Sequence, residues 1–211
     1  MADEAFALRG GHLALDFANT VGWHAHEEPT EQAEYLTSYA RFLAWARQTG
    51  ALADDVLDRL AAFAAKSPSA AAAALGEVIA LREAVYHLFS AQAAGRALPA
   101  ADLAVLNAAL AEAHAHLRVV PTATGPEFGW AADGNDDLTR PLWPVVRAAA
   151  ALLTAPERAR VRECAGGSCG WLFLDTSRNG SRRWCDSRDC GNRERVRRHY
   201  ARQKRGVERV G

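Results

Sequence analysis

The sequence predicts a mainly α N-terminal domain with a small antiparallel β-sheet, followed by a small C-terminal module built on four cysteines. Three observations predict this. Alanine, the strongest helix former, supplies 46 of the 211 residues, 43 of them before Pro156. The charge is split: residues 1–155 carry 10 Lys+Arg against 18 Asp+Glu, a net of −8, and residues 156–211 carry 15 against 7, a net of +8. All four cysteines, Cys164, Cys169, Cys185 and Cys190, fall in the last quarter. Charge and cysteine counts thus place the same boundary near Pro156 and divide the chain into 1–155 and 156–211.

The remaining composition excludes several classes. At 49% hydrophobic and 24% charged the chain reads as globular, not as collagen-like, low-complexity or wholly disordered. No apolar run reaches the roughly 18 residues of a membrane span. Met1-Ala2-Asp3-Glu4 lacks the cationic start of a signal peptide, so a cytoplasmic protein without membrane contact is expected.

Along the N-terminal part, Leu13, Leu15 and Phe17 alternate with other residues and predict a half-buried strand. Thr30 can cap a helix running to about Gln48, with Gly50 as its stop and Leu36, Tyr39, Leu43 and Ala46 as its apolar stripe. Further helices are expected over Asp54–Ala65, Ser69–Ala94, Pro99–Ala115 and Trp143–Leu153. Leu117–Thr122 and Glu127–Ala132, joined through Gly125-Pro126, predict a hairpin with Phe128 and Trp130 on one face.

The cysteines are spaced C-x4-C, then 15 residues, then C-x4-C. Two close pairs around a central excursion gather four thiolates about one tetrahedral ion. The segment has only Trp171, Leu172, Phe173 and Trp184 as sizeable apolar residues and needs a staple to fold. One structural Zn²⁺ fits, because four deprotonated sulfurs close its coordination shell and supply folding energy. Two disulfides, four free thiols and an iron–sulfur cluster are the alternatives. The cytosol disfavours disulfides, and the spacing matches neither common ferredoxin run.

From Thr176 to Arg205 there are 11 Lys+Arg against Asp186, Asp189 and Glu194. Arg178, Arg182 and Arg183 lie in the excursion between the cysteine pairs. Arg193, Arg195, Arg197, Arg198 and Arg202 follow Cys190 in a stretch of helical propensity. Val196 and Tyr200, at i and i+4, are expected to dock that helix on the module, with Asn192 as its cap. Such clustering marks a polyanion-binding face. Arg182, Arg183, Arg195, Arg197, Arg198 and Arg202 are the phosphate candidates, Asn192 and Arg193 the base readers; a merely solvated or protein-binding surface is the rival reading.

Other motifs carry less. Gly166-Gly167-Ser168-Cys169-Gly170 matches the G-x-S-x-G elbow but lies inside a metal knuckle, not a hydrolase sheet. Asp133-Gly134-Asn135-Asp136-Asp137 starts like a calcium loop, yet Leu138 and Pro144 stand where Gly and Glu are needed. His114 and His116, two apart on a helix, cannot chelate together, whereas His24 and His26 lie in a loop that offers ligands. Asp16, Asn19 and Arg82 can line an effector pocket, with an intradomain ion pair or backbone cap as the competing role.

Cys185-Asp186-Ser187-Arg188-Asp189-Cys190-Gly191-Asn192-Arg193, with the preceding 173–179 and Arg182-Arg183-Trp184, closely resembles the CGNR zinc finger. Gly11 to Val21, Leu81-Arg82-Glu83-Ala84 and Leu106-Asn107 resemble parts of the ABATE domain that precedes this finger in its family. That family is described as stress-induced transcription regulators. The resemblance implies Cys164, Cys169, Cys185 and Cys190 as ligands and DNA as partner, and names no effector. The expected function is a non-enzymatic DNA-binding regulator whose N-terminal domain senses an unknown small-molecule effector or mediates assembly, including homo-oligomers. The alternatives are an enzyme with an N-terminal pocket acting on nucleic acid, and an RNA- or protein-binding zinc adaptor. Against the enzyme, the sequence presents no complete acid–base or nucleophile set.

Overall fold

The computed structural model describes residues 5–22, 24, 33–131, 137–167 and 169–207, with backbone only beyond 200. Its first element corrects the sequence reading: where alternation predicts a strand over 13–17, the chain forms a short helix, α1 (Leu13–Ala18). Alternation fails here because Ala14 and Ala18 are buried along with Leu15 and Phe17, so the segment sinks on more than one face. His12 caps α1, and the Asp16 carboxylate turns back to accept the Gly10 N–H at 2.7 Å. A Cβ at Gly10 would lie 2.8 Å from Leu15 Cβ and Asp16 N, so glycine is required for this fold-back.

A two-residue ladder follows, β1 (Val21–Gly22) antiparallel to β2 (Ala33–Glu34). Thr30 itself lies outside the described residues, but the helix expected to run from it is corrected. Ala33 and Glu34 are taken up by the ladder with β1, and the Glu34 carboxylate accepts the Leu36 N–H, so Leu36 is buried ahead of the helix rather than on its stripe. Helix α2 runs Tyr39–Thr49, capped by Ser38 and ended by Gly50 at φ 66°. The helices α3 (Asp54–Lys66), α4 (Pro68–Ala93), α5 (Ala100–Ala115) and α6 (Leu142–Thr154) match their expected spans to within one residue at each end. Between the last two lies the hairpin β3 (Leu117–Thr122) and β4 (Gly125–Trp130). Thr122 pairs with Gly125, so the turn is Ala123-Thr124, two residues earlier than Gly125-Pro126 suggested. Phe128 stays exposed under the Arg147 guanidinium, while Trp130 packs on Trp143.

The core is built round α4, whose Val78, Leu81, Val85, Leu88 and Phe89 are buried among α1, α2, α5 and α6. Phe17, Phe42 and Trp45 form its aromatic centre, with Phe17 and Trp45 ring centroids 5.3 Å apart. After a 3₁₀ turn, Pro156–Arg160, come β5 (Val161–Glu163) and β6 (Leu172–Leu174), antiparallel to each other. The small sheet expected from sequence is therefore, among the described residues, three separate two-stranded ladders.

Strand β6 divides two cores. Leu172 is fully buried in the main core with Val161, both beyond the compositional boundary at Pro156. Trp171 and Phe173 face the other way, into a second cluster with the four cysteines. The N-terminal segment laces this strand down. Asn19 donates to Leu172 O at 2.8 Å and accepts from Leu172 N at 2.9 Å, both buried. Gly10 O accepts from Leu174 N, and Val21 O from the Trp171 indole. A buried backbone group left unpaired costs about 1–3 kcal/mol. Asn19→Ala, which strands two of them, should lower stability by about 2–4 kcal/mol in urea denaturation; a change under 1 kcal/mol would show that the pairing is dispensable.

Candidate metal centre and basic helix

The first knuckle follows β5. Cys164 N extends the ladder by donating to Trp171 O, and Cys169 N closes the turn on Gly166 O. A Cβ at Gly166 would sit 3.2 Å from Cys190 Cβ and 3.5 Å from two sulfurs, so the knuckle packs tightly against the cluster. In the second knuckle Asp186 Oδ1 accepts the Arg188 and Asp189 amides, turning the chain from Cys185 to Cys190. Cys190 is also the first residue of α7 (Cys190–Val207).

The four Sγ atoms are buried and lie within 4.8 Å of one another. Cys169 and Cys185 are 3.7 Å apart, and Cys185 and Cys190 3.6 Å. A tetrahedron of sulfurs at about 2.3 Å from a central ion has edges of about 3.8 Å, so the cage fits such an ion. None of the four is in a disulfide. Left to themselves the thiols compete: sulfur hydrogen bonds from Cys169 and Cys185 pull the Cys164 thiol down, and the hydrogen bond with Cys164 pushes Cys169 up. Two donors already face the sulfurs, Cys185 N to Cys164 Sγ at 3.4 Å and Arg193 Nη2 to Cys190 Sγ at 3.3 Å.

The arginines fall into two groups. Arg182 braces the module: its guanidinium donates to the Trp184 and Cys185 carbonyls and stacks 4.3 Å over the Phe173 ring. Arg193 pairs with Asp189 at 3.1 Å beside the sulfurs. Arg9, which sequence reasoning missed, bridges Asp186 and Asp189 at 3.3 and 3.2 Å; its partners lie some 180 residues away, so no local signal marks it. The second group is outward. Arg183 is exposed over Trp184, and Arg178 is exposed too. Arg195 reaches the Ser187 carbonyl at 3.4 Å, and Arg197 and Arg198 share Glu194. Arg202 lies on α7, its side chain outside the described residues.

Asn192 is exposed two residues inside the helix, so it does not cap it. The docking expected of Val196 and Tyr200 is also corrected: they are 46% and 61% exposed. The second cluster is already filled by Trp171, Phe173, Tyr35 and Trp184, and Glu194 occupies the helix position that faces the body. From Arg195 to Tyr200 every residue is exposed.

The three effector-pocket candidates are engaged within the protein. Asp16 holds Gly10 and Asn19 holds Leu172. Arg82, almost fully buried, binds both Glu34 carboxylate oxygens at 2.7 Å and pairs with Glu83. Glu83 in turn binds His24 Nε2 at 2.9 Å. Burial works against ionising Glu83, but its contacts with His24 and Arg82 outweigh that and hold its carboxyl down to about 2. His24 N donates to Cys169 O, tying this cluster to the first knuckle. His26 lies outside the described residues. Asp137 closes an ordinary turn on Thr139.

Fold and site together define a helical domain clasped to a four-thiol metal-binding finger with a cationic helix. The chain belongs to the ABATE family: the model described as "Putative stress-induced transcription regulator" matches residues 11–156, and that of the CGNR zinc finger matches residues 160–203. Comparison with curated proteins gives no match. Groups that orient metal ligands typically change metal affinity 10–100-fold when removed. Arg182→Ala should therefore weaken metal retention in chelator competition by about tenfold, with helical circular dichroism kept; unchanged retention would remove Arg182 from that role.

Proposed function

We propose that this chain is a non-catalytic, cytoplasmic DNA-binding transcription regulator. Cys164, Cys169, Cys185 and Cys190 hold one structural Zn²⁺, and the exposed helix α7 engages duplex DNA. Residues 1–155 serve regulation, through an unidentified effector or through assembly into homo-oligomers. Asp16, Asn19 and Arg82 we assign to the framework, since their polar atoms are already engaged. Four thiolates close the shell of Zn²⁺ and leave no position for a substrate, which supports a structural ion over an enzymatic one. Among the described residues no helix is long and apolar enough to cross a membrane.

The observation that supports DNA binding most directly is the exposure of α7. The helix is rooted at Cys190 and Glu194, and from Arg195 to Tyr200 every residue is exposed, with Arg195, Arg197 and Arg198 at its surface. Arg178 and Arg183 extend the cationic face at its root. Recognition of single-stranded RNA relies on exposed rings for stacking, but Trp171 and Trp184 are packed in the module and only Tyr200 of the three projects. This favours a duplex.

Two measurements test the proposal. Protein purified without added metal should carry about one zinc per chain, and Cys185→Ser should lose it; full occupancy in that variant would remove the assignment. If about five phosphates are neutralised, log K for a duplex should fall with log salt at a slope near −4 to −5. Arg197→Ala with Arg198→Ala should flatten that slope by about 2. Duplex binding indifferent to salt and to these changes would move α7 into the protein-docking class.

A further inference from the structure

We infer that Asn192, Val196 and Tyr200 form the sequence-reading face of α7, and that this face occupies the major groove at a site containing A·T pairs. The inference rests on the DNA-binding reading above and adds which side of the helix meets the bases.

The helix register sets the face. At about 100° per residue, positions four apart drift by only about 40°, so Asn192, Val196 and Tyr200 form one stripe. Position 203 continues it in the backbone register. Glu194 lies about 160° round the helix from Val196; it is buried and ion-paired to Arg197 and Arg198 at 3.0 Å. Since Glu194 faces the body, the stripe faces away from it. The stripe is also chemically distinct from the rest of the helix. It carries Val196 and Tyr200, exposed apolar groups on a segment whose other side chains are mostly charged.

Its residues match base edges. An asparagine amide pairs in bidentate fashion with adenine N6 and N7, and an aliphatic side chain packs on the thymine methyl. The tyrosine hydroxyl both donates and accepts. Arg197 flanks the stripe on one side and Arg195 on the other, each about 100° from Val196, where the walls of the groove place phosphates. A helix with its side chains is about 10–12 Å across, and the major groove is about 12 Å wide. A second copy of α7 is a poor occupant of the same face. The helix has seven Lys+Arg against one acid, Glu194, so two copies would repel.

The test uses full-length, zinc-loaded protein and a duplex selected by it from a random pool, with a shuffled duplex as reference. Asn192→Ala, Val196→Ser and Tyr200→Ala change exposed side chains, and circular dichroism will confirm that they fold. Each should weaken binding to the selected duplex by about tenfold, with binding to the shuffled duplex and the salt slope unchanged. Arg195→Ala should weaken both duplexes alike. Replacing thymine by deoxyuridine across the selected site should cost wild-type protein several-fold, and Val196→Ser should be insensitive to it. Equal weakening of both duplexes by the stripe variants, or no sequence preference in the wild type, would overturn the reading face and leave DNA binding standing. No duplex binding at all, or binding confined to single-stranded RNA, would overturn both.

Discussion

In this protein a strand of three residues has to serve two cores at once. The period of two in a β-strand sends alternate side chains to opposite faces. Leu172 therefore joins the helical core while Trp171 and Phe173 join the cysteine cluster. Such a strand is buried on both sides, and its backbone groups must all be paired. Strand β5 covers only one edge; Asn19 covers the other with a donor and an acceptor on the same residue. The finger is too small to order itself, so its geometry depends on this seam as well as on its sulfurs. Glycine at 10 and the Asp16 carboxylate that accepts its N–H belong to the same constraint, because they bring α1 and Asn19 to the strand.

The charge of the C-terminal segment acquires a different meaning once its partners are known. With an ion bound, four thiolates leave a local charge of about −2, and cations nearby offset it. Arg193 reaches a sulfur, and Arg9 and Asp189 extend the network outward. Arg182 satisfies carbonyls instead. These arginines are consumed in holding the knuckles, whereas those beyond Glu194 are spread over an exposed helix. A count of basic residues cannot separate the two populations. Position relative to the sulfurs does.

The same distinction explains what was legible in the sequence. Helices α3 to α6 are alanine-rich runs, bounded by Ser67-Pro68, Gly95 and Pro99, and the cysteine spacing carries its own geometry. The reading of 13–17 failed because three alternating apolar residues say nothing of the alanines between them, which are small enough to be buried in a helix too. Arg82 and Asn19 read as pocket candidates, with pairing inside the domain as the competing role, and their partners Glu34 and Leu172 are 48 and 153 residues away. Val196 and Tyr200 have the spacing of a docking pair. Spacing cannot say whether a receiving surface exists, and here the receiving cluster is already filled by Tyr35 from the N-terminal domain.

Cys190 links the metal cage to α7 in the most direct way, since one residue is both a sulfur donor and the start of the helix. Two physical effects of the ion on DNA binding then oppose each other. Removing Zn²⁺ and reprotonating the thiols makes the module more positive by about two charges, which taken alone strengthens attraction to phosphates. It also removes the bonds that fix the direction in which α7 leaves the body. A helix whose base-reading stripe is aimed by its root loses that aim when the root loosens, and phosphate attraction does not depend on aim. On the proposed reading, the metal-free protein should thus keep salt-dependent affinity for any duplex and lose its preference among sequences. The ion would then serve specificity more than affinity, as the shared Cys190 implies.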